Sequence, residues 1–252
     1  MNSEKVLAAL NEIIEQIDKD HPDYDFKKWF DRDMNSVTSS NNGAPSMMAE
    51  FCKALQMDIL KSGDKCKANR TKAVLRILKN SDKEQYTKAF IDDDGKEIVL
   101  DGYRAICFAS PVDGVPTTDN GDGFLSIRDS YFFSKNINSY DKLNLASLAE
   151  LKAELKIDKA NNVGVDTGKK KKTPIYAFGI SADEYNTTTP IVNLQYLIDI
   201  VEAMPNAKAV CKTDKYGFSV VYLIDDEGNM AILLPIRYNK KYKDILSRKV
   251  VK

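Results

Sequence analysis

The sequence predicts a mixed α+β fold, because helical and strand patterns occupy different parts of the chain. Apolar residues recur at helical spacing in the first third, as in residues 4–18. From about Gln85 the chain becomes rich in β-branched and aromatic residues and is interrupted by Asp-Gly pairs, which is typical of hairpins. Residues 90–95 (FIDDDG) are echoed by residues 223–228 (LIDDEG), which indicates a domain built from two similar halves.

The N-terminal part, residues 1–65, is predicted to be a helical region. Helices are expected over residues 4–18, 26–33 and 47–61, and the last of these is stopped by Gly63. The polar stretch at residues 35–46 has no periodicity, so we expect a flexible linker there.

The remainder alternates between short strands and helices. Helices are predicted over residues 69–79, 143–155 and 193–204, the last of them stopped by Pro205. The predicted strands cover residues 86–91, 96–100, 104–109, 175–180, 189–192, 207–212, 218–224 and 230–237. An aromatic segment at 124–133 and a loop at 161–172, which ends in four lysines, complete this part.

Composition indicates a protein of the cytoplasm. The 37 basic residues balance the 37 acidic ones, so the formal charge is zero, although a local basic face remains open. No apolar run reaches the roughly 18 residues that a membrane span needs, and the acids near the N-terminus argue against a signal or transit peptide. The four cysteines, which contain no C-x-x-C pair, are expected to fill the core in a reducing compartment: Cys52, Cys66, Cys107 and Cys211.

Enzymatic chemistry has little support among the residues. His21 is the single histidine, and it lies in a polar turn before Pro22. The chain contains no P-loop, nucleophile-elbow or zinc-protease motif. The acidic clusters lie beside glycines between strands, where aspartate is favoured for turn geometry, although magnesium binding is the alternative: Asp92, Asp93, Asp94, Asp101, Asp225, Asp226 and Glu227. We therefore expect a protein that is not an enzyme and holds no cofactor or metal.

Three segments resemble the bacterial DNA polymerase sliding clamp, the beta clamp. Residues 94–109 (DGKEIVLDGYRAICFA) look like the strand–turn–strand in which that family carries T-D-G-H-R-L. Residues 192–204 (VNLQYLIDIVEAM) resemble the helix that opens its final half-domain, with the pattern N-x-x-Y-L-x-D. Residues 231–237 (AILLPIR) resemble its closing strand, which ends in M-P-M-R. The segments follow one another in the same order as in the family.

The resemblance implies a single clamp-like domain over residues 66–240, followed by a basic tail at 241–252. Such a domain has two β-α-β-β-β halves with helices on one face of the sheets. The chain departs from the family at Leu100 and Tyr103, which stand in place of threonine and histidine, and in the length of the connection over 143–172. Bacterial clamps carry three domains per chain in a dimeric ring, so a ring of this chain would require a larger homo-oligomer.

Clamp helices present basic side chains to DNA phosphates without reading the bases, so the resemblance implies weak contact with double-stranded DNA. The matching helix precedes the first hairpin, and an ordinary solvated helix face is the alternative interpretation. The expected DNA-contacting residues are Arg70, Lys72, Arg76, Lys79 and Lys83.

The family also binds short linear motifs of polymerases and repair proteins in an apolar pocket. In bacterial clamps the turn and the closing strand of this pocket come from adjacent domains, so a similar pocket here would require two subunits. Aliphatic walls exclude water, while tyrosine and arginine supply directional contacts at the rim. Ordinary sheet-core and turn roles are the alternative interpretation of these residues. The matching positions are Gly102, Tyr103, Arg104, Ala105, Asn193, Tyr196, Leu234, Pro235, Ile236 and Arg237.

The leading hypothesis is a non-catalytic, clamp-like accessory protein of DNA replication or repair, related to phage proteins, that contacts DNA phosphates, recruits partner peptides, or does both. The main alternative is a protein–protein scaffold or inhibitor that has this fold and no DNA contact, which the zero net charge favours. A magnesium-dependent enzyme that uses the acidic hairpins is a third possibility.

Overall fold

A computed structural model describes residues 64–81, 83–132, 140–166, 171–178, 190–213 and 219–236, together with isolated positions at 12, 15, 16, 19 and 245. The helices predicted over 4–18, 26–33 and 47–61, the linker at 35–46 and the tail at 241–252 therefore lie outside the described ranges. The chain divides into two compact units, Met1–Ala68 and Asn69–Lys252, and the described helices and strands lie almost entirely in the second.

Four helices are described, and local signals set their ends. They are α1 (Lys65–Lys79), α2 (Phe124–Ile127, followed by a π-helical turn over Arg128–Phe132), α3 (Leu148–Ala160) and α4 (Leu194–Ala203). Ser147 and Glu150 form a capping box at the start of α3. The side chain of Asn193 accepts hydrogen bonds from the backbone N–H groups of Gln195 and Tyr196 and so begins α4. No helix of the described ranges combines the length and apolarity needed to cross a bilayer.

The strands of the described ranges form one eight-stranded sheet and one two-stranded sheet. They are β1 (Ala89–Ile91), β2 (Glu97–Leu100), β3 (Arg104–Phe108), β4 (Thr117–Thr118), β5 (Asp141–Leu143), β6 (Ile175–Ala177), β7 (Ile191–Asn193), β8 (Lys208–Thr213), β9 (Ser219–Ile224) and β10 (Met230–Leu233). The large sheet has the order β4-β1-β2-β3-β10-β9-β8-β5, and β6 pairs with β7. Every neighbouring pair is antiparallel except β1 and β4.

The large sheet is built from two halves of the same order, a helix followed by three antiparallel strands. The first half is α1-β1-β2-β3, and the second is α4-β8-β9-β10, preceded directly by β7. The halves join where β3 pairs with β10, with Ile106 opposite Ala231 and Arg104 opposite Leu233. Strands that lie more than 100 residues apart in sequence therefore share one sheet, and the predicted α+β class is confirmed.

The echoed sequences do not occupy equivalent places in the halves. The first forms the turn between β1 and β2, whereas the second forms the turn between β9 and β10. In each turn a buried aspartate accepts two backbone N–H groups: Asp92 from Asp94 and Lys96, and Asp225 from Glu227 and Asn229. Glycine follows at positive φ in both turns. The echo thus marks a shared turn geometry rather than a repeat, and for these two acids the turn interpretation is confirmed.

The sheet buries both of its faces. Helices α1, α3 and α4 cover one face with side chains such as Ile77, Leu151 and Leu197, which pack against alternate strand residues including Ile106. The opposite face is covered by α2 and an aromatic group that includes Tyr86, Phe90 and Phe124. Helices therefore lie on both faces, which differs from the expectation of one helical face, because the short α2 was expected only as an aromatic segment.

Candidate functional site

A rigid turn between β2 and β3 presents an exposed tyrosine. The buried carboxylate of Asp101 accepts the backbone N–H groups of Tyr103 and Arg104, each at 3.0 Å. Gly102 adopts φ +92°, a backbone conformation that L side chains rarely take. The Tyr103 side chain emerges from this turn 53% exposed, and its ring centroid lies 6.0 Å from that of Tyr196 on α4.

Arg104 stabilises the turn from the core side, because its guanidinium is fully buried between two carboxylates. Its Nε donates to Asp101 Oδ2 at 2.8 Å, and its Nη1 donates to Asp199 Oδ2 at 2.7 Å. The guanidinium carbon also lies 4.3 Å from the centre of the Tyr196 ring. A buried charge requires partners of this kind, since desolvation of an unpaired ion costs several kcal/mol. Arg104 therefore joins the turn to α4 and packs against the Tyr196 ring.

A third segment, residues 234–236, completes the surface. The Leu234 N–H donates to the Tyr103 carbonyl at 3.0 Å, and the Ile236 N–H donates to the Ile191 carbonyl at 2.7 Å. Leu234, Pro235 and Ile236 are half-buried. We call the surface formed by Tyr103, Tyr196 and residues 234–236 the tyrosine groove. A single chain brings its three parts together, so the expected requirement for two subunits does not hold for these residues.

The other predicted pocket residues have different positions. Ala105 is fully buried on the opposite face of the sheet, beside Ile98 and Ile232, because adjacent residues of a strand point to opposite sides. The side chain of Asn193 is engaged in capping α4. Gly102 sets the turn, and Arg237 lies outside the described residues.

Of the predicted DNA-contacting residues, the two arginines bind groups within the fold, and two of the lysines are exposed to solvent. Arg70 donates to the Ala203 carbonyl at 2.9 Å and to Glu227 at 2.7 Å. Arg76 pairs with Asp199, at 3.1 Å, and with Glu202. Lys72 is half-buried, whereas Lys79 and Lys83 are exposed, and the Lys83 ammonium lies 5.4 Å from the centre of the Tyr86 ring. The two arginines of this set thus connect α1 to the second half of the sheet.

Helix α4 supplies acceptors to both of its neighbours. Gln195, Asp199 and Glu202 follow helical spacing and lie along one side of the helix. Glu202 also pairs with Lys152 of α3, and Gln195 accepts a hydrogen bond from Lys159 at 3.0 Å. Charges on α1 and α3 are therefore partly neutralised by α4. Sequence reasoning missed this role of Asp199 and Glu202, although their spacing on an otherwise apolar helix was the available signal.

Burial raises the pKa of two cysteines and one glutamate in this part of the chain. Burial raises the pKa of Cys107 to about 11 and raises that of Cys211. Both thiols lie in the core, as predicted, whereas Cys66 is exposed and Cys52 lies outside the described residues. Burial also raises the pKa of Glu97 to about 7. Within the described ranges, no group of three or more His, Cys, Asp or Glu residues is arranged to hold a metal ion.

Comparison with known proteins identifies no relative: no protein-family model, no curated protein and no solved structure matches this chain.

Proposed function

We propose that this protein is a non-catalytic accessory protein that recruits another protein through the tyrosine groove, as a processivity clamp recruits its partners. The observation that carries the proposal is the contrast at Tyr103. Its ring is more than half exposed, while the backbone and side chains around it are fixed by Asp101, Arg104 and Leu234. A tyrosine side chain has only two χ angles to order, so on a fixed backbone it loses little conformational entropy when it binds.

The clamp-like assignment is supported by where the resembling segments lie. Residues 94–109 contribute β2, the turn and β3, residues 192–204 contribute α4, and residues 231–237 contribute β10. These segments are far apart in sequence, and they converge on one surface through the Leu234–Tyr103 and Arg104–Asp199 hydrogen bonds. Each half has the order helix–strand–strand–strand, which agrees with the last four elements of the expected β-α-β-β-β half.

The chemistry of the groove favours a short peptide with apolar or aromatic side chains. Two tyrosine rings and the half-buried residues 234–236 offer apolar surface, and tyrosine hydroxyl groups add hydrogen bonding at the rim. In the processivity-clamp role, the partners would be polymerases or repair proteins that carry linear motifs.

Contact with DNA is the weaker of the two expected roles. Arg70 and Arg76 already bind carboxylates and Lys72 is half-buried, so the exposed Lys79 and Lys83 would have to carry phosphate contact on α1 and the turn after it. Two phosphates neutralised give a log–log salt slope of about −1.8. We therefore favour recruitment, with at most weak and strongly salt-sensitive binding of duplex DNA.

The test is a fluorescence-anisotropy titration with a labelled peptide that carries a clamp-binding motif. We expect saturable binding by the wild-type chain and a loss of about 30-fold or more in Tyr103→Ala, which corresponds to about 2 kcal/mol for an anchor residue. Ile157→Ala is the matched control, because Ile157 is also exposed but lies on α3 outside the groove. Absence of saturable wild-type binding, or equal binding by Tyr103→Ala, would refute the proposal.

A parallel titration with fluorescent duplex DNA at two salt concentrations separates recruitment from DNA contact. We expect weak binding that falls further in Lys79→Glu/Lys83→Glu, while peptide binding is unchanged. A salt slope much steeper than about −2 would show that DNA contact is the larger role. The mass of the protein in solution, from sedimentation equilibrium, tests the expected homo-oligomer.

A further inference from the structure

Glu97, the first residue of β2, is a carboxylic acid buried away from water. It is fully buried, and in the sheet it lies between Ile91 of β1 and Phe108 of β3. It shares a strand face with Val99, which belongs to the core beneath the helices. Its Oε2 accepts the backbone N–H of Val112, and its Oε1 has no hydrogen-bond partner among the residues that the structure describes.

Val112 belongs to a loop, residues 109–116, that we call the flap. Besides the Glu97 contact, the flap is attached at three points. The Thr71 hydroxyl donates to the Asp113 carbonyl at 2.9 Å, the Ala89 N–H donates to the Pro116 carbonyl at 2.8 Å, and the Ala109 N–H donates to Asn229 Oδ1 at 2.9 Å. Val112 and Val115 also pack against the core. The flap is thus closed over the apolar surface in which the Glu97 carboxyl is buried.

The elements around Glu97 offer its charged form little compensation. The two strand neighbours Ile91 and Phe108 are apolar. The surrounding elements carry Lys96 beside it on the chain, Asp113 in the flap, Arg104 at the far end of β3, and the basic residues of α1. Of these, Arg104 is paired with Asp101, and Arg70 lies 5.9 Å from the Phe108 ring and is paired with Glu227. The pKa of Glu97 is raised from 4.5 to about 7 because burial disfavours the charged form, and the Val112 N–H opposes this rise.

We propose that the flap is a pH-sensitive closure, held shut over protonated Glu97 and released when Glu97 ionises. A buried carboxylate with a single N–H donor is costly, and opening residues 109–116 would allow water to solvate it. The direction of the pH dependence follows from the difference between the pKa of Glu97 in the closed and in the open form. The closed form keeps the proton up to about pH 7, whereas the open form loses it near pH 4.5. Opening therefore becomes about tenfold more favourable per pH unit between these values, about 300-fold in all, and levels off above pH 7.

Amide hydrogen exchange of the full chain, followed by NMR and corrected for intrinsic rates, tests the proposal between pH 5 and 8. We expect the protection factor of Val112 to fall about tenfold per pH unit up to about pH 7 and then to remain level. In Glu97→Gln, which has no ionisable group at this position, protection should not depend on pH. The amide of Ala231 in central strand β10 serves as the reference for global unfolding.

The carboxyl carbon shift of Glu97 in the wild-type chain gives a second measurement that does not depend on the variant. Its titration midpoint should coincide with the pH at which Val112 protection levels off. Constant wild-type protection at Val112, an equal fall in Glu97→Gln, or a parallel fall at Ala231 would each overturn the proposal.

Discussion

The two halves of the large sheet share one order of elements, but where they meet the first contributes positively charged side chains and the second contributes negatively charged ones. In the first half, Arg70 and Arg76 on α1 and Arg104 on β3 reach towards the second half. In the second half, α4 receives them with Asp199, Glu202 and the carbonyl group of Ala203. The halves are therefore complementary partners rather than interchangeable copies.

This difference explains how the joint between β3 and β10 can be specific. Backbone hydrogen bonds between antiparallel strands carry no sequence information, so any exposed edge could pair with either strand. The arginine–carboxylate contacts form only when the first half meets the second. We take the ionic contacts to select the correct pairing, because an incorrect one would leave the buried Arg104 with Asp101 alone and the buried Asp199 without Arg104.

The largest expected effect comes from removal of Asp199. Asp199→Ala leaves the fully buried Arg104 with one carboxylate of its two, so we expect a loss of about 3–5 kcal/mol in the free energy of unfolding. Urea denaturation followed by circular dichroism measures it. Asp226→Ala is the control, because Asp226 pairs with Lys208 at the surface and should change stability by less than about 0.5 kcal/mol.

Arg104 and Asp199 should be energetically coupled. Arg104→Met already removes the arginine from both buried carboxylates, so Asp199→Leu should cost less in that background than in the wild-type chain. A double variant as unstable as the sum of the single ones would show that the contact carries no coupling between the halves.

A moderate effect is expected at the two echoed turns. Asp92→Ala and Asp225→Ala each remove an oxygen that accepts two backbone N–H groups, so each should cost about 1–3 kcal/mol. Asparagine keeps that oxygen and should restore most of the loss. Thermal unfolding of the four variants measures these losses. A full loss in the asparagine variants would mean that the contacts of the second carboxylate oxygen, with Arg128 for Asp92 and with Asn229 for Asp225, matter more than the turn geometry.

The smallest effect is expected at Arg76. Its side chain is 42% exposed, and Glu202 would keep Lys152 as a partner. Arg76→Gln should therefore cost less than about 1 kcal/mol, and less again at high salt. Urea denaturation at low and high salt measures this cost. A loss comparable with that of Asp199→Ala would mean that α1, not Arg104, holds the halves together.

Local signals in the sequence were sufficient for much of the fold. The predicted helix over 193–204 agrees with α4 (Leu194–Ala203), because Asn193 caps it and Pro205 follows it. Strand β5 (Asp141–Leu143) escaped prediction, since three residues carry little periodicity and its partner β8 lies far along the chain. The predicted helix over 143–155 also begins too early, because α3 starts at Leu148. Ser147 and Glu150 form a capping box that could have been recognised in the sequence.

The candidate site was predictable in part. The turn, the first turn of α4 and residues 234–236 converge as a set, and period-two alternation would have placed Ala105 on the far side of the sheet. The partners of Arg70 and Arg76 could not be foreseen, because they depend on α1 and α4 lying side by side, which the sequence does not specify locally.

The most direct test is to measure nuclear Overhauser contacts between β3 and β10, where the halves join, in the isotope-labelled protein. We predict contacts from Ile106 to Ala231 and from Arg104 to Leu233, and from the Tyr103 residue to the Leu234 amide. Contacts within each half, Val99 to Ile106 and Leu223 to Ala231, provide the internal standard. If the internal contacts are seen while those across β3 and β10 are absent, the halves do not form one sheet and the tyrosine groove does not exist.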